Sequence, residues 1–484
     1  MRAHRGLSRL IADLSIGGAA LASLGGCALQ RYEPAPLDPA ASASAFESRS
    51  VDAPGLKEYM IAHGHPAPEW PVQRWGLADL TLLAFYYQPN LELARAQAAA
   101  ARAQVAAATQ RAPIAIKPAV LHHSLQPPDT KGPWTLGFEV EIPLSGSGRR
   151  AALSEQYGSL AQSAELAVGS AAWTVRSQIR AHLLDCYAAG RTLELLEVEV
   201  RERRSLVSLL QRRFDAGAAS ALELSTARLK QAEVDSRIQD AQLAREQCLG
   251  GLAGALGLPL AAVRNMSLDF AAFQQTLAPP NDSAVQRSAL LNRLDVRAKL
   301  FDYAAADAAV KLEIARQYPS LTLSPGYIWA QGDNIWSLVA TVLVPAAGNK
   351  PAIQAALARR DAAAREFLAM QGKVISDADA AQARYAKTME NAGNVQQVLD
   401  LQSARGKEAR KRFDAGHADR VELTLAQLET LAVEHRALAV RLETQRALGA
   451  LEDALQMALV GAPLPSWASE KSQAQTAAPG LARQ

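Results

Sequence analysis

Three cysteines, eight histidines and one glycine-rich corner are where this 484-residue chain could do chemistry. Cys186 and Cys248 could form a disulfide, stay two ordinary buried thiols, or ligate a metal. The short motifs "HGH", His63 to His65, and "HH", His122 and His123, could hold a transition metal, but no Cys, Asp or Glu cluster accompanies them. Surface histidines are the better reading, and no metal is expected. The segment "SGSGRR", Ser145 to Arg150, superficially resembles a phosphate loop. There is no G-x-S-x-G, no H-E-x-x-H and no carboxylate pair identified by motif. The expectation is a protein that is not an enzyme and carries no cofactor.

The bulk numbers narrow the class further. With 51 basic and 48 acidic residues and a net charge of +3, the chain has no field that would gather nucleic acid. It is 49% hydrophobic but only 5% aromatic, so its apolar content is mostly Ala and Leu, which suits helices. Arg2, Arg5 and Arg9 precede a modest apolar stretch interrupted by Asp13, a pattern that reads as a secretory signal. It ends in Leu24, Gly25, Gly26 and Cys27, which resemble a bacterial lipobox, with ordinary cleavage near the same place as the alternative. Acylation of Cys27 would anchor the chain in a leaflet, each buried methylene contributing ~0.8 kcal/mol. Ala28 follows in place of Asp, which in this class points to the outer membrane. No later run of eighteen apolar residues occurs, so a membrane could be spanned only by strands.

These residues must be positioned by a chain that doubles. After a Pro/Ala/Ser-rich stretch to about Ala53, read as an extended arm, "WTLGFEVEIPLSGSG" from Trp134 aligns on "WSLVATVLVPAAGNK" from Trp336 at an offset of 202 (336 − 134). "RRFDAGAASALEL" from Arg212 returns as "KRFDAGHADRVEL" from Lys411 at an offset of 199 (411 − 212). More weakly, "PNLELARAQ" near Asn90 is echoed by "LDVRAKLFD" near Asp295. Each half reads as helix, two strands, then two very long helices. No proline occurs from Leu144 to Leu258 or from Ala352 to Ala462, and an interior proline would cost about 3 kcal/mol. The run from Gly146 to Arg213 alone is about 100 Å of helix at ~1.5 Å per residue. Ser147 and Asn349 are good N-cap residues, and Gly217 and Gly416 supply the positive φ that closes a helix before reversal.

Along the first strand, Trp134, Leu136, Phe138, Val140 and Ile142 share one face while Thr135, Gly137, Glu139 and Glu141 share the other. A barrel wall with lipid outside and water inside explains this alternation. Trp336 to Val344 is less clean, because Val339 and Leu343 fall on the wet face. Tyr327 and Trp329 are interface aromatics of an upstream strand. Four strands cannot close a barrel, and three copies would give twelve. "SGSGRR" then reads as the strand-to-helix corner, with Arg149 and Arg150 facing solvent or headgroups, since its partner "AAGNKP" lacks the phosphate-loop pattern. Cys186 and Cys248 each lie 31 residues from Gly217 (217 − 186 and 248 − 217), so they sit at similar height on opposite arms. Packed helix axes ~8 to 10 Å apart stand against the 7 Å Cα limit of a disulfide, which favours two thiols.

Together, the lipobox, the two repeats and the R-F-x-x-G turn in each resemble the TolC family of outer-membrane efflux channels, in its lipoprotein branch, over roughly Leu77 to Val460. The resemblance implies a mainly α chain with a small membrane β part, made of two tandem repeats of helix, strand pair and long helical hairpin. It implies a homotrimer with a 12-stranded β-barrel in outer-membrane lipid and an α-helical tunnel projecting into the periplasm. It puts Arg213, Phe214, Gly217, Arg412, Phe413 and Gly416 at the tip where a periplasmic adaptor and its inner-membrane pump dock. Family carboxylates lie six and nine positions past the second glycine. Glu422 holds the first position, Leu425 the second, and Glu223 matches in the first repeat. One carboxylate ring, with Leu425 as an apolar constriction, is therefore expected, against the plainer reading of first-turn glutamates complementing helix N-termini.

The expected layout is a lipoprotein signal over 1–26, an acylated N-terminal arm over 27–76, a first repeat over 77–260, a linker over 261–288, a second repeat over 289–462 and a tail over 463–484. Within the repeats, strands are expected at about 113–144 and 319–346 and helical hairpins at about 146–257 and 349–461. The function so read is a passive conduit for drugs, metal ions or other small toxic solutes. The rivals are a type I polypeptide secretion channel of the same fold, a periplasmic adaptor with one hairpin, and a structural lipoprotein.

Overall fold

A computed structural model describes residues 32–65, 70–125, 130–144, 146–274, 277–278, 293–344 and 349–460. Cys27 and its lipobox, Pro345, Gly348 and the tail from 463 lie outside the described residues. The chain divides into a unit over Met1–Ser48 and one over Arg49–Gln484. In the first, the stretch expected to be extended contains helix α1, Pro39–Glu47, which begins with proline at its first position and Asp38 capping Ala40 N at 2.9 Å.

The second unit runs α2 (Pro54–Ala62), α3 (Leu77–Tyr87), α4 (Pro89–Thr109), β1 (Ala115–His122), β2 (Trp134–Leu144), α5 (Ser147–Asp215), α6 (Ala221–Leu256) and α7 (Leu260–Arg264). It continues through α8 (Leu294–Arg316), β3 (Ser320–Ala330), β4 (Asp333–Leu343), α9 (Lys350–Asp414) and α10 (Arg420–Leu455). The 69-residue α5 and 65-residue α9 are unbroken, as sequences with no proline beyond Pro351 in the first turn of α9 allow. Their partners are not equally long: α6 and α10 have 36 residues each. The remaining length of each long helix is covered by the helix that precedes the strands, α4 in the first repeat and α8 against both long helices.

Side chains at the N-caps of α4 and α8 join these shorter helices end to end. Gln88 Nε2 donates to Ala255 O at 2.9 Å and Gly254 O at 3.2 Å, while Arg49 bridges Tyr87 O and Gly257 O at 3.0 and 2.7 Å. At the matching joint, Arg293 Nη1 donates to Ala454 O at 3.1 Å and Gln456 Oε1 accepts from Leu294 N at 2.7 Å. Helix-end carbonyls that would otherwise lack partners are thus satisfied.

The largest core gathers at this level. Leu56, Tyr59 and Met60 of α2 pack with Leu80, Leu83 and Phe85 of α3 against Ile179, Leu183 and Leu184 of α5 and Leu252 and Leu256 of α6. Part of the expected linker belongs to it: Phe273 is buried in the cluster, and Trp75 pairs with Leu268. Residues 261–274 are therefore packed structure, because their apolar residues fill the space where the stacked helices meet.

Candidate functional site

All four strands form one antiparallel sheet in the order β1-β2-β3-β4, so β2 and β3 join the two repeats within the chain. The register carries one apolar face across that seam. Ile116 lies opposite Val140, Leu136 opposite Val120 and Trp329, Phe138 opposite Tyr327, and Tyr327 opposite Trp336. On this face Trp336 is 79% and Leu338 71% exposed. On the other face Thr135 is only 7% and Ser324 2% exposed. In the middle of the sheet the apolar face is thus open and the polar face covered, while the outer strands β1 and β4 are exposed on both sides. Lys117 pairs with Glu141 on the polar side, where Val339 and Leu343 also fall. Trp336 packs against Tyr327 with ring centroids 4.8 Å apart, and Tyr327 Oη bonds Asn334 Oδ1 at 2.7 Å, a ring with an apolar body and a polar tip. Among the described residues, no helix is long and apolar enough to cross a membrane.

Below the sheet the corner is anchored more firmly than its sequence suggests. Arg149 Nη2 donates to Tyr318 O at 2.6 Å in an exposed bond, tying the start of α5 to the segment that follows α8. Asn349 is the N-cap of α9 but makes no capping bond; its amide donates to Glu313 O at 3.0 Å and Glu313 Oε2 at 2.9 Å. The cap of α5 is Gly146, with Ser147 the first helical residue.

At the far end both reversals close alike. Gly217 and Gly416 have φ of 74° and 77°, and Ala218 N and His417 N reach back to Arg213 O at 2.7 Å and Arg412 O at 2.8 Å. This is the left-handed closure that glycine permits at least strain. Phe214 is exposed, while the Phe413 ring lies under the Arg420 guanidinium at 5.7 Å.

The following helices are capped differently. Ser220 and Glu223 form a reciprocal capping box: Glu223 N donates to Ser220 Oγ at 3.1 Å and Ser220 N to Glu223 Oε2 at 2.7 Å. Hydrogen bonds from the Ser220 backbone and hydroxyl hold the Glu223 carboxyl below the usual carboxylate range. In the second hairpin Asp419 caps Val421 N and Glu422 N at 2.7 and 3.0 Å, and its other oxygen takes Arg213 Nη2 of the first hairpin at 2.7 Å. The Arg213 guanidinium, with those backbone N–H groups, keeps Asp419 ionised below its ordinary range. Glu422 pairs with Arg412 at 2.9 Å, and Leu425 is exposed beyond it.

Cys186 and Cys248 are joined as a disulfide with Cα atoms 5.3 Å apart, where average helix spacing favours separate thiols. The arms come close here because Gly251, three residues past Cys248, carries no side chain: a Cβ there would lie 2.5 Å from the His182 ring. The histidine motifs resolve into local partners. His65 Nδ1 is 2.9 Å from Asp79 Oδ1 and mostly buried, His63 Nδ1 meets Tyr59 O at 2.6 Å, and His123 Nε2 meets Thr135 Oγ1 at 2.8 Å.

Two charged clusters escaped sequence reasoning because each joins the repeats. Fully buried Glu452 of α10 takes Arg180 Nε at 3.1 Å and Arg176 Nη1 at 3.3 Å from α5, and its other oxygen accepts Leu459 N and Val460 N at 2.7 and 2.9 Å. Glu199 of α5 gathers Arg203, Arg237 of α6 and His435 of α10. The repeat alignment puts Ala253 opposite Glu452 and Ser236 opposite His435, a signal that these positions do work in one copy only.

No protein-family model and no curated protein match the chain. Solved structures do. It is similar to CusC, studied for folding and transmembrane channel formation, at TM-score 0.64 and 18% identity over 81% of this chain and 95% of that one. The outer membrane protein VceC of Vibrio cholerae aligns at TM-score 0.64 and 17% identity over 78% of this chain and 95% of that one. The outer-membrane channel OprN aligns at TM-score 0.63 and 18% identity over 89% of this chain and 99% of that one. The duplicated hairpins, the single four-stranded sheet and these alignments agree: the chain has the TolC-like fold of outer-membrane channels.

Proposed function

We propose that three copies of this chain form the outer-membrane channel of a tripartite efflux system, a passive conduit for drugs, metal ions or other small toxic solutes. The observation that carries this reading is the four-stranded sheet, with an exposed apolar face and with β1 and β4 as unpaired edges. An exposed apolar sheet with two open edges is a liability in water, and lipid with a neighbouring copy on each edge resolves both faults. Three four-stranded sheets give twelve strands, and the long helices below them form the tunnel wall. Cys27 anchors each copy by its acyl chains.

The turns at Arg213, Phe214, Gly217, Arg412, Phe413 and Gly416 dock the adaptor in this reading, and Glu422 with Leu425 lines the aperture. Glu223, engaged in its capping box, is the weaker aperture candidate of the two carboxylates. Single-channel recording of the purified protein in planar bilayers tests the proposal: discrete conductance steps are expected, and a protein that inserts without conducting would sink it.

A further inference from the structure

Between the large core and the tips, the two hairpins meet at one polar junction. Glu199 of α5 is 7% exposed at its side chain. Its Oε1 takes Arg203 Nη2 at 2.9 Å and Nε at 3.1 Å, and its Oε2 takes Arg237 Nη1 of α6 at 3.2 Å. The third cation site is His435 of α10, whose Nε2 lies 3.2 Å from Oε2 but off the line of a hydrogen bond. Below this point Leu206 of α5 packs with Val421, Leu428 and Leu431 of α10, and Arg213 reaches Asp419 at the tip. The junction thus belongs to a seam between α5 and α10 that runs from the tip up to Leu438 and Leu442, which pack on the large core above it.

We propose that His435 makes this seam acid-labile, so that protonation of its ring loosens the second hairpin from the first and frees the tips. With His435 neutral, one carboxylate faces two guanidinium groups. A protonated ring adds a third positive charge to a carboxylate whose two oxygens already have partners, and places it beside Arg237. In a half-buried site that repulsion is poorly screened.

The ring's own titration agrees with the geometry. Burial, with Arg237 next, pushes the His435 pKa below its ordinary 6.5 against the pull of Glu199, and these are the charges that act on it from α5 and α6. Glu434 and Arg436 flank it on α10 but point to other faces of the helix. A histidine whose folded pKa is depressed contributes stability that is fully present above its unfolded value of 6.5 and is lost as pH falls through the folded value. Asp419 lies sixteen residues nearer the tip (435 − 419), about 24 Å along the helix, so a small loosening at His435 is carried to the turns.

The test uses the full chain in detergent, with spin labels on Ala218→Cys and Ala418→Cys and the tip-to-tip distance measured at about pH 7.5 and about pH 5, either side of the histidine range. The expected result is a shift to longer distances at the lower pH. His435→Gln should show the neutral-pH distances at both values, and Arg237→Gln should shrink the shift. A chain with native His435 whose distances ignore pH overturns the proposal, as does a His435→Gln chain that still responds. The inference deepens the channel reading by giving its tips a regulator, yet the distances do not depend on conductance. A chain that responds to pH but never conducts would therefore fail the channel proposal and keep this one.

Discussion

The first hairpin, α5 with α6, and the second, α9 with α10, use the same five letters, R-F-D-A-G, to turn and almost nothing else in common to stay in place. The first is closed on itself: a disulfide ties its arms, and Ser220 and Glu223 cap each other inside one turn. The second, whose arms pack on each other through Val374, Ala378, Tyr385, Leu448 and Leu451, is in addition tied to the first. Asp419 reaches Arg213, His435 faces Glu199, and Glu452 lies between Arg176 and Arg180. Shared residues therefore fix the geometry of the reversal, while unshared ones decide which hairpin is self-sufficient and which leans on its neighbour. A hairpin held through charges is the one that pH and salt can release.

The largest effect should come from Glu452→Ala. It strands two buried guanidinium groups between the repeats, and breaking such a node costs about 3–5 kcal/mol. Thermal unfolding followed by circular dichroism should show the drop, whereas the matching position of the first repeat is already Ala253. Removing the crosslink with Cys186→Ala and Cys248→Ala should lower stability by about 2–4 kcal/mol, and a reductant should do the same to the unmodified chain. If reduction leaves the unfolding curve in place, the first hairpin is not self-sufficient in the sense argued above.

Gly416→Val forces a β-branched residue into left-handed backbone, about 1–2 kcal/mol of strain at an open position where nothing lies within 4 Å of an added Cβ. Export assays should report loss of transport with normal membrane insertion, and normal export would undo the docking assignment. Smallest is Asp419→Asn, which keeps a capping side chain but removes the exposed pair with Arg213, worth about 0.2–1 kcal/mol. Because the Asp419 pKa is depressed, its contribution is present above its unfolded value of 3.8 and is lost only as pH falls through the lower folded value. Between about pH 5 and pH 8 the Asp419 pair should therefore be flat while the His435 junction changes, a contrast readable in the same spin-label experiment.

Much of this architecture was legible because duplication makes a chain check itself. Trp134 and Trp336 marked the strands, Gly217 and Gly416 the reversals, and the long proline-free runs the helices. The half-length α6 and α10 were not visible, since Ala-rich sequence such as that of α4 states that it is helical but not which helix it will continue. The disulfide was obscured because average helix spacing hides the local approach that Gly251 allows. Charged clusters joining the repeats were least legible of all. Arg176, Arg180 and Glu452 are ordinary letters on helices 200 or more residues apart in sequence, and only the fold brings them together.

One pairing also sets the order of events during synthesis. Leu144 of β2 meets Leu321 of β3, 177 residues later in the chain (321 − 144), with a whole helical hairpin made in between. Contacts so distant in sequence form slowly, because the intervening loop must be closed before they repay its entropy. The first two strands therefore wait, as an apolar two-stranded ribbon with open edges, until the second repeat arrives. During that interval the chain is most exposed to aggregation, and the strands Ala115–His122 and Trp134–Leu144 are where that exposure is concentrated.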